Sequence, residues 1–295
     1  VFDARGRRGL RERPGILRGP ATIAIGSAVA VSPAEPAATI LVPLDEGWIW
    51  FAHPGGGRAW VQATLDAADP AGRPPAERLA AAMASAAAEL PRGGPCGRAL
   101  VREAAPVLPP PLDNLEIIPV GDAAAAMDPL SGHGMFWAVS GALAATAVRR
   151  SLAGGRGGDA AQLALRFLNE RSSDVHHRQA RLGRDFIRAE QGRGELPFWG
   201  ARAAFPDNLP VAASAPSFEI ATRVVVENNV LREREVLLTP ESPGGVCWLG
   251  NRPAVELYRA WASGMRRPAM DRMFGAAGRN FEGWLAAQGT APGTA

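Results

Sequence analysis

At 295 residues, 47% of them hydrophobic and 21% charged, the chain is long enough to bury a large core or to hold two domains, and its composition excludes a disordered or fibrous protein. All 32 basic residues are arginine, because the sequence contains no lysine, which excludes a Schiff-base or general-base lysine from this segment. A formal net charge of +3 is small for this length, and Arg5, Arg7, Arg8, Arg11 and Arg13 come without an aromatic stacking platform or recognition motif, so no nucleic-acid partner is expected.

In chain order, Val1 lies in a short apolar run that leads into Asp3-Ala4-Arg5-Gly6, the end of a strand and the turn after it. The arginines that follow read as a solvated loop or a domain contact. Because the sequence opens inside this run and without Met, it is expected to begin in the interior of a larger protein. Residues 22–31 and 39–44 read as strands, and residues 48–51 and 59–65 as two more, joined by the turn Pro54-Gly55-Gly56-Gly57. Together they predict an antiparallel sheet. Strand alternation puts Trp48 and Trp50 on one face, where they either line a substrate cavity or simply pack the sheet. Residues 74–90 form an Ala-rich helix with Glu77 near its start. Residues 93–111 are loop-like, with a short helical turn at 98–105.

Residues 115–150 carry the most chemistry. A strand-type run at 117–120 is followed by Gly121-Asp122, small residues, Asp128-Pro129-Leu130, Gly132-His133-Gly134, and a helix to Arg150. Asp122, closing the strand, can accept hydrogen bonds from the hydroxyls of a polyol. The glycines let backbone N–H groups approach a ligand closely, and the helix start leaves unpaired N–H groups with partial positive charge for an electron-rich acceptor. Asp128 reads equally as a helix N-terminal acid. His133 is either a proton donor to the reacting groups or a structural residue capping the turn. Residues 131–148 carry no formal charge and are long enough to span a membrane. Their Ser and Gly content and their place directly after a strand and turn predict a buried helix instead, and no membrane partner.

After a flexible break at 154–158, Asp159 is expected to cap a long helix, 159–191, with Leu163, Phe167, Leu182, Phe186 and Ile187 among its apolar positions. His176 and His177 have no metal-ligand spacing and are expected to face solvent. Cys96 and Cys247 are far apart and match no metal or redox pattern. No metal is expected, and a reducing, cytoplasmic location fits. Residues 218–240 predict a hairpin around Asn228-Asn229, with a possible third strand at 245–249. Helices at 254–263, 268–274 and 279–287 complete a small winged-helix-like appendage, suited to gripping a partner or lidding a cavity.

The order Gly-Asp, Pro, Gly-x-Gly at a helix start, carried by Gly121, Asp122, Pro129, Gly132 and Gly134, resembles the second flavin-contacting motif of FAD-dependent monooxygenases of the para-hydroxybenzoate hydroxylase type. The resemblance implies FAD as cofactor, with Asp122 on its ribityl chain, Gly121, Asp128 and Pro129 in the same motif, and Gly132 to Gly134 under the isoalloxazine. VFDARGRR resembles the Asp-Ala-Thr-Gly-Arg turn of the same domain, with Arg5 where Thr or Ser is usual. The Gly-x-Gly-x-x-Gly that would cradle the pyrophosphate is absent, so the FAD site is expected to be incomplete in this chain.

Two further stretches narrow the resemblance. GWIWFAHPGGG is similar to a hairpin of tryptophan halogenases, although Pro54 stands one residue further from Trp50 than in their Trp-x-Trp-x-Ile-Pro. RAEQ followed by PFWGAR resembles a signature of the halogenase-like flavoproteins, including maturases that hydroxylate a protein-bound tryptophan. Arg188, Glu190, Phe198, Trp199 and Arg202 are the matching positions. Arg188 and Trp199 join Trp48 and Trp50 as substrate-binding candidates, with a helix-terminal ion pair on an aromatic loop as the alternative. Halogenases place Glu-Ser between Pro-Leu and Thr-Gly of the flavin motif. Here Pro129-Leu130 runs straight into Ser131-Gly132, and the missing Glu favours a hydroxylase.

The resemblance therefore implies an α/β chain with an α+β insertion. Residues 1–19 and 113–153 form a truncated, Rossmann-like FAD-binding domain, and residues 20–112 an inserted antiparallel substrate-binding sheet. Residues 154–215 supply a long helix and aromatic loop, and residues 216–290 the small carboxy-terminal domain. The implied activity is hydroxylation of an aromatic, an indole or a peptide-bound tryptophan, through a flavin C4a-hydroperoxide, with NAD(P)H or a flavin reductase as electron source. A tryptophan-type halogenase and a non-catalytic partner-binding module are the alternatives.

Overall fold

The computed structural model describes residues 1–10, 14–153, 158–190, 192–211 and 218–288. Arg11, Arg13, most of the break at 154–158 and Gln191 lie outside the described residues. Two short strands open the chain, β1 (Phe2–Asp3) and β2 (Leu17–Arg18). A meander then follows: β3 (Thr22–Val31), β4 (Ala38–Leu44), β5 (Gly47–His53) and β6 (Arg58–Asp66), paired antiparallel in the order β4-β5-β6-β3. Apolar residues at alternate positions put Ile25, Val29, Ile49, Phe51, Val61 and Leu65 on one face, where Leu79 and Ala82 of α1 (Pro75–Ser85) cover them. Trp48 and Trp50, and opposite them Thr64 and Gln62, occupy the other face.

The segment after α1 departs from expectation. The free edge of β3 is taken by β7 (Gly93–Pro95) and β8 (Leu100–Glu103), so the helical turn expected at 98–105 is a strand. An open strand edge offers a full row of backbone partners to a segment lying along it, and this outweighs weak local helix preference. Likewise α1 stops at Ser85, short of Leu90.

Two pairings tie the sheet to the rest. β9 (Val107–Leu108) runs antiparallel to β2, and β10 (Ile118–Pro119) runs parallel to β1. Only two residues of the run expected at 117–120 are paired, and Ile117 is half exposed. Helices α2 (Gly134–Ser151), α3 (Gly158–Ala189) and α4 (Pro197–Ala203) follow. α2 is not the buried helix expected. Trp137, Ala144, Ala147 and Val148 face inward, while Met135, Phe136, Val139 and Leu143 are 65–83% exposed. In α3 Asp159 lies within the first turn instead of capping it, Phe186 is exposed, and His176 is fully buried where a solvent-facing residue was expected.

The carboxy-terminal part begins with a hairpin of β11 (Glu219–Glu227) and β12 (Val230–Leu238). Its turn residues Asn228 and Asn229 have φ of 50° and 60°, the left-handed pair that a two-residue hairpin loop requires. Val224 and Leu231 pack against Ala147, Val148, Ala164 and Leu168 of α2 and α3. In place of a third strand at 245–249, Val246 makes a single bridge to Leu237, and β13 (Trp248–Leu249) pairs with β14 (Arg252–Pro253). Helices α5 (Ala254–Ala262), α6 (Arg267–Phe274) and α7 (Ala276–Ala287) enclose a core of Leu237, Leu257, Met270, Phe281 and Leu285.

Candidate functional site

The Gly-Asp turn and the start of α2 form one unit. Gly121 has φ +61° and opens a 3-10 turn, Gly121–Ala123, directly after β10. Trp137, in the first turn of α2, is buried and donates its indole N–H to the Gly121 carbonyl at 3.0 Å. Arg171 of α3 lies over the same indole, 4.9 Å from its ring centre. The Asp122 side chain is 41% exposed, with Arg7 Nε at 3.8 Å. Arg7 also donates to the carbonyls of Ala105 and Met127. Burial pulls its pKa down, and Asp122, Glu103 and Asp128 oppose the shift.

Between the Gly-Asp turn and α2, a second 3-10 turn spans Pro129–Ser131. Asp128 caps it by accepting a hydrogen bond from the Leu130 N–H at 2.8 Å. Shielding from water raises the Asp128 carboxyl above its ordinary range, against the pull of Leu130 N–H, Arg202 and Arg7. Gly132 ends the turn at φ +65°. A Cβ at Gly132 or Gly134 would meet nothing within 4 Å. His133 stands at the N-cap of α2, makes no side-chain capping bond, and lies edge-on to Phe136 at 6.5 Å. The helix start therefore opens onto free space through two glycines, beside a half-exposed carboxylate.

The second group of candidates meets this unit at Leu130. Trp48 is buried with Ile187, Phe198 and Trp199, and Trp50 and Leu130 pack on the same cluster. Trp199 donates its indole N–H to the Leu44 carbonyl at 2.8 Å, fastening α4 to the sheet. Arg188 does not join them. It is exposed and holds the loop after α4, donating to Ala203 O and Asn208 Oδ1, both at 2.7 Å. Glu190 pairs with Arg193 at 2.5 Å. The structure thus brings Trp48, Trp50 and Trp199 together against Leu130 of the Pro129–Ser131 turn and leaves Arg188 outside.

Three residues beyond the sequence-derived site set hold this arrangement. Arg7 belongs to a basic cluster whose composition did not single it out, and Trp137 reads as an ordinary helix residue. Arg202 was visible as the last position of PFWGAR, without an assigned role. Among the described residues no group of His, Cys, Asp or Glu could hold a metal ion, and no helix is long and apolar enough to cross a membrane.

Comparison with solved structures gives these features a context. The peptidyl tryptophan dihydroxylase QhpG, essential for tryptophylquinone cofactor biogenesis, superimposes with a TM-score of 0.73 at 31% identity, over 98% of this chain and 68% of its own. The chain belongs to the halogenase-like FAD-dependent monooxygenase family. The flavin-dependent halogenase CmlS shares the fold, with a TM-score of 0.70 at 15% identity over 98% of this chain and 66% of its own. The myxobacterial chondrochloren halogenase CndH matches less fully, with a TM-score of 0.53 at 17% identity over 68% of this chain and 50% of its own. The chain thus spans about two thirds of the length of QhpG and CmlS. No family model and no curated protein matches it.

Proposed function

We propose that the chain is the larger part of an FAD-dependent monooxygenase that hydroxylates an aromatic ring, most specifically the indole of a tryptophan within a peptide. The observation that carries the reading is the open, glycine-lined start of α2, bound through Trp137 to the Gly121-Asp122 turn. The relationship to a peptidyl tryptophan dihydroxylase supports the substrate class. Residues 1–19 and 113–153 would contribute to the cofactor domain, residues 20–112 an inserted substrate sheet, residues 154–215 the helix and aromatic loop, and residues 216–290 a winged-helix-like appendage. A cytoplasmic location goes with this reading.

The residues present fit the cofactor. Asp122, half exposed on a rigid turn, would accept hydrogen bonds from the ribityl hydroxyls. The first N–H groups of α2, reached through Gly132 and Gly134, would face an electron-rich carbonyl and favour negative charge there. FAD held by these residues and reduced by NAD(P)H or a separate reductase would supply the two electrons with which dioxygen gives one oxygen atom to the ring and the other to water. His133, at the same helix start, is placed to donate a proton to the reacting groups. Trp48, Trp50 and Trp199 would form the wall that excludes water from the aromatic substrate.

The test is to reduce the full-length protein in air with a flavin reductase, NADH and a tryptophan-containing peptide, and to weigh the product. Gain of oxygen independent of halide supports hydroxylation. Replacement of hydrogen by halogen supports a halogenase, and failure to retain FAD removes both readings.

A further inference from the structure

A small cavity of about 20 Å³ lies where the sheet, the Pro129–Ser131 turn and helices α3 and α4 meet. Thr22, Asp128, Leu130, Arg184, Ile187 and Arg202 are among its walls. One water needs about 10–15 Å³ and two or more polar partners, so the cavity has room for one.

Arg202 is 6% exposed, and most of its hydrogen-bonding capacity is assigned. Nη2 donates to Thr22 Oγ1 at 2.6 Å and pairs with Asp66 at 2.9 Å. Nη1 donates to the Phe198 carbonyl at 2.8 Å, and the guanidinium stacks 3.5 Å from the centre of the Phe198 ring. Nε is buried and finds no acceptor among the described residues. A buried donor on a cation, beside a cavity that also touches a carboxylate, calls for a bridging acceptor.

We propose that one ordered water in this cavity accepts from Arg202 Nε and donates to the Asp128 carboxylate. Arg202 is then a positioning residue. It holds the carboxylate at the base of the flavin-motif turn charged and directed, while its other arms grip the substrate sheet through Thr22 and Asp66. The contact is read from the geometry alone; its consequence for the cofactor rests on the flavin reading above.

The charges around Asp128 define the test. Arg7 faces it from the first turn of the chain and Arg202 from α4. Arg184 lines the cavity from α3 but is tied to Asp185 and Asp207, and β3 contributes only the uncharged Thr22. An acid whose folded pKa is raised loses stability as pH rises through that folded value. Removing Arg202 raises the Asp128 value further and carries the loss to higher pH.

The thermal midpoint of the full chain is measured from pH 4, near the ordinary value from which Asp128 is raised, up to pH 8 for the parent, R202M, D128N and the double variant. The deficit of R202M is expected to widen by roughly 2–4 °C across this range and to stop widening in the D128N background, which separates Asp128 from Asp66. A deficit that is constant with pH, or that widens equally in D128N, overturns the proposal. If R202M does not fold, R202Q carries the same measurement. An FAD titration of the full-length protein reports on the flavin reading separately: a widening deficit alongside a full-length protein that binds no FAD sinks that reading and leaves the bridge standing.

Discussion

Trp137 and Gly121, sixteen residues apart, are joined by a single hydrogen bond that fixes the start of α2 against the turn carrying Asp122. Replacing Trp137 with Phe keeps an aromatic ring in place but removes the donor. Gly121 O retains the N–H groups of Ala124 and Ala125, so the carbonyl is not orphaned and the loss is about 0.5–1.5 kcal/mol. The expected result is a small fall in thermal midpoint with several-fold weaker FAD binding by the full-length protein. Unchanged FAD affinity would separate the helix start from the cofactor.

Asp122 and Arg7 touch each other yet predict different outcomes. Asp122 is too exposed for its ion pair to add much stability. Asp122→Ala is therefore expected to leave the denaturation midpoint within about 0.5 kcal/mol while loosening FAD. Arg7 joins the carbonyls of Ala105 and Met127 across about a hundred residues of chain. Arg7→Met is expected to lower stability by about 2 kcal/mol, because charge-assisted bonds to two carbonyls are lost together. Urea denaturation of the two variants checks the contrast.

Much of this architecture was legible in the sequence, for physical reasons that differ by element. β3 to β6 were readable because alternating apolar residues and a Pro-Gly-rich turn act locally. The hairpin turn at Asn228-Asn229 was readable because few residues tolerate that backbone. β8 was not, since its strand identity comes from the exposed edge of β3, which no local pattern encodes. His176 was misplaced for a similar reason. The polarity of an imidazole says outside, whereas the fold buries it, with Phe205 from the loop after α4 edge-on to its ring. Gly121-Asp122 and Gly132 to Gly134 are legible as a candidate site in the sequence, whereas the residues that brace this region, Arg7, Trp137 and Arg202, act across long sequence distances.

Gly26 offers a test of the sheet face that carries the tryptophans. It pairs with Gln62, and the Trp60 indole lies over it, so that a Cβ at position 26 would come 2.5 Å from a ring carbon. Gly26→Val must lift the indole off the sheet, at an expected cost of about 1–3 kcal/mol. In a Trp60→Ala background the same substitution should cost far less, because the obstructing ring is gone. A penalty of equal size in both backgrounds would locate the strain in the strand backbone instead.

His176 predicts how the chain responds to acid. Burial, with a smaller contribution from His177, holds its imidazole down to about 4 from an ordinary 6.5. Neither ring nitrogen has a partner among the described residues. The unfolded chain takes up a proton below about pH 6.5, whereas the folded chain resists until about pH 4. Stability is therefore lost as pH falls through this window, by up to about 3 kcal/mol at 1.36 kcal/mol per pKa unit. His176→Leu removes the proton site and an unpaired polar ring together. The variant is expected to match or exceed the parent at pH 7 and to gain on it steadily towards pH 4.5 in thermal melts. Parallel losses in parent and variant would place the acid sensitivity elsewhere, among the carboxylates that pair with arginine.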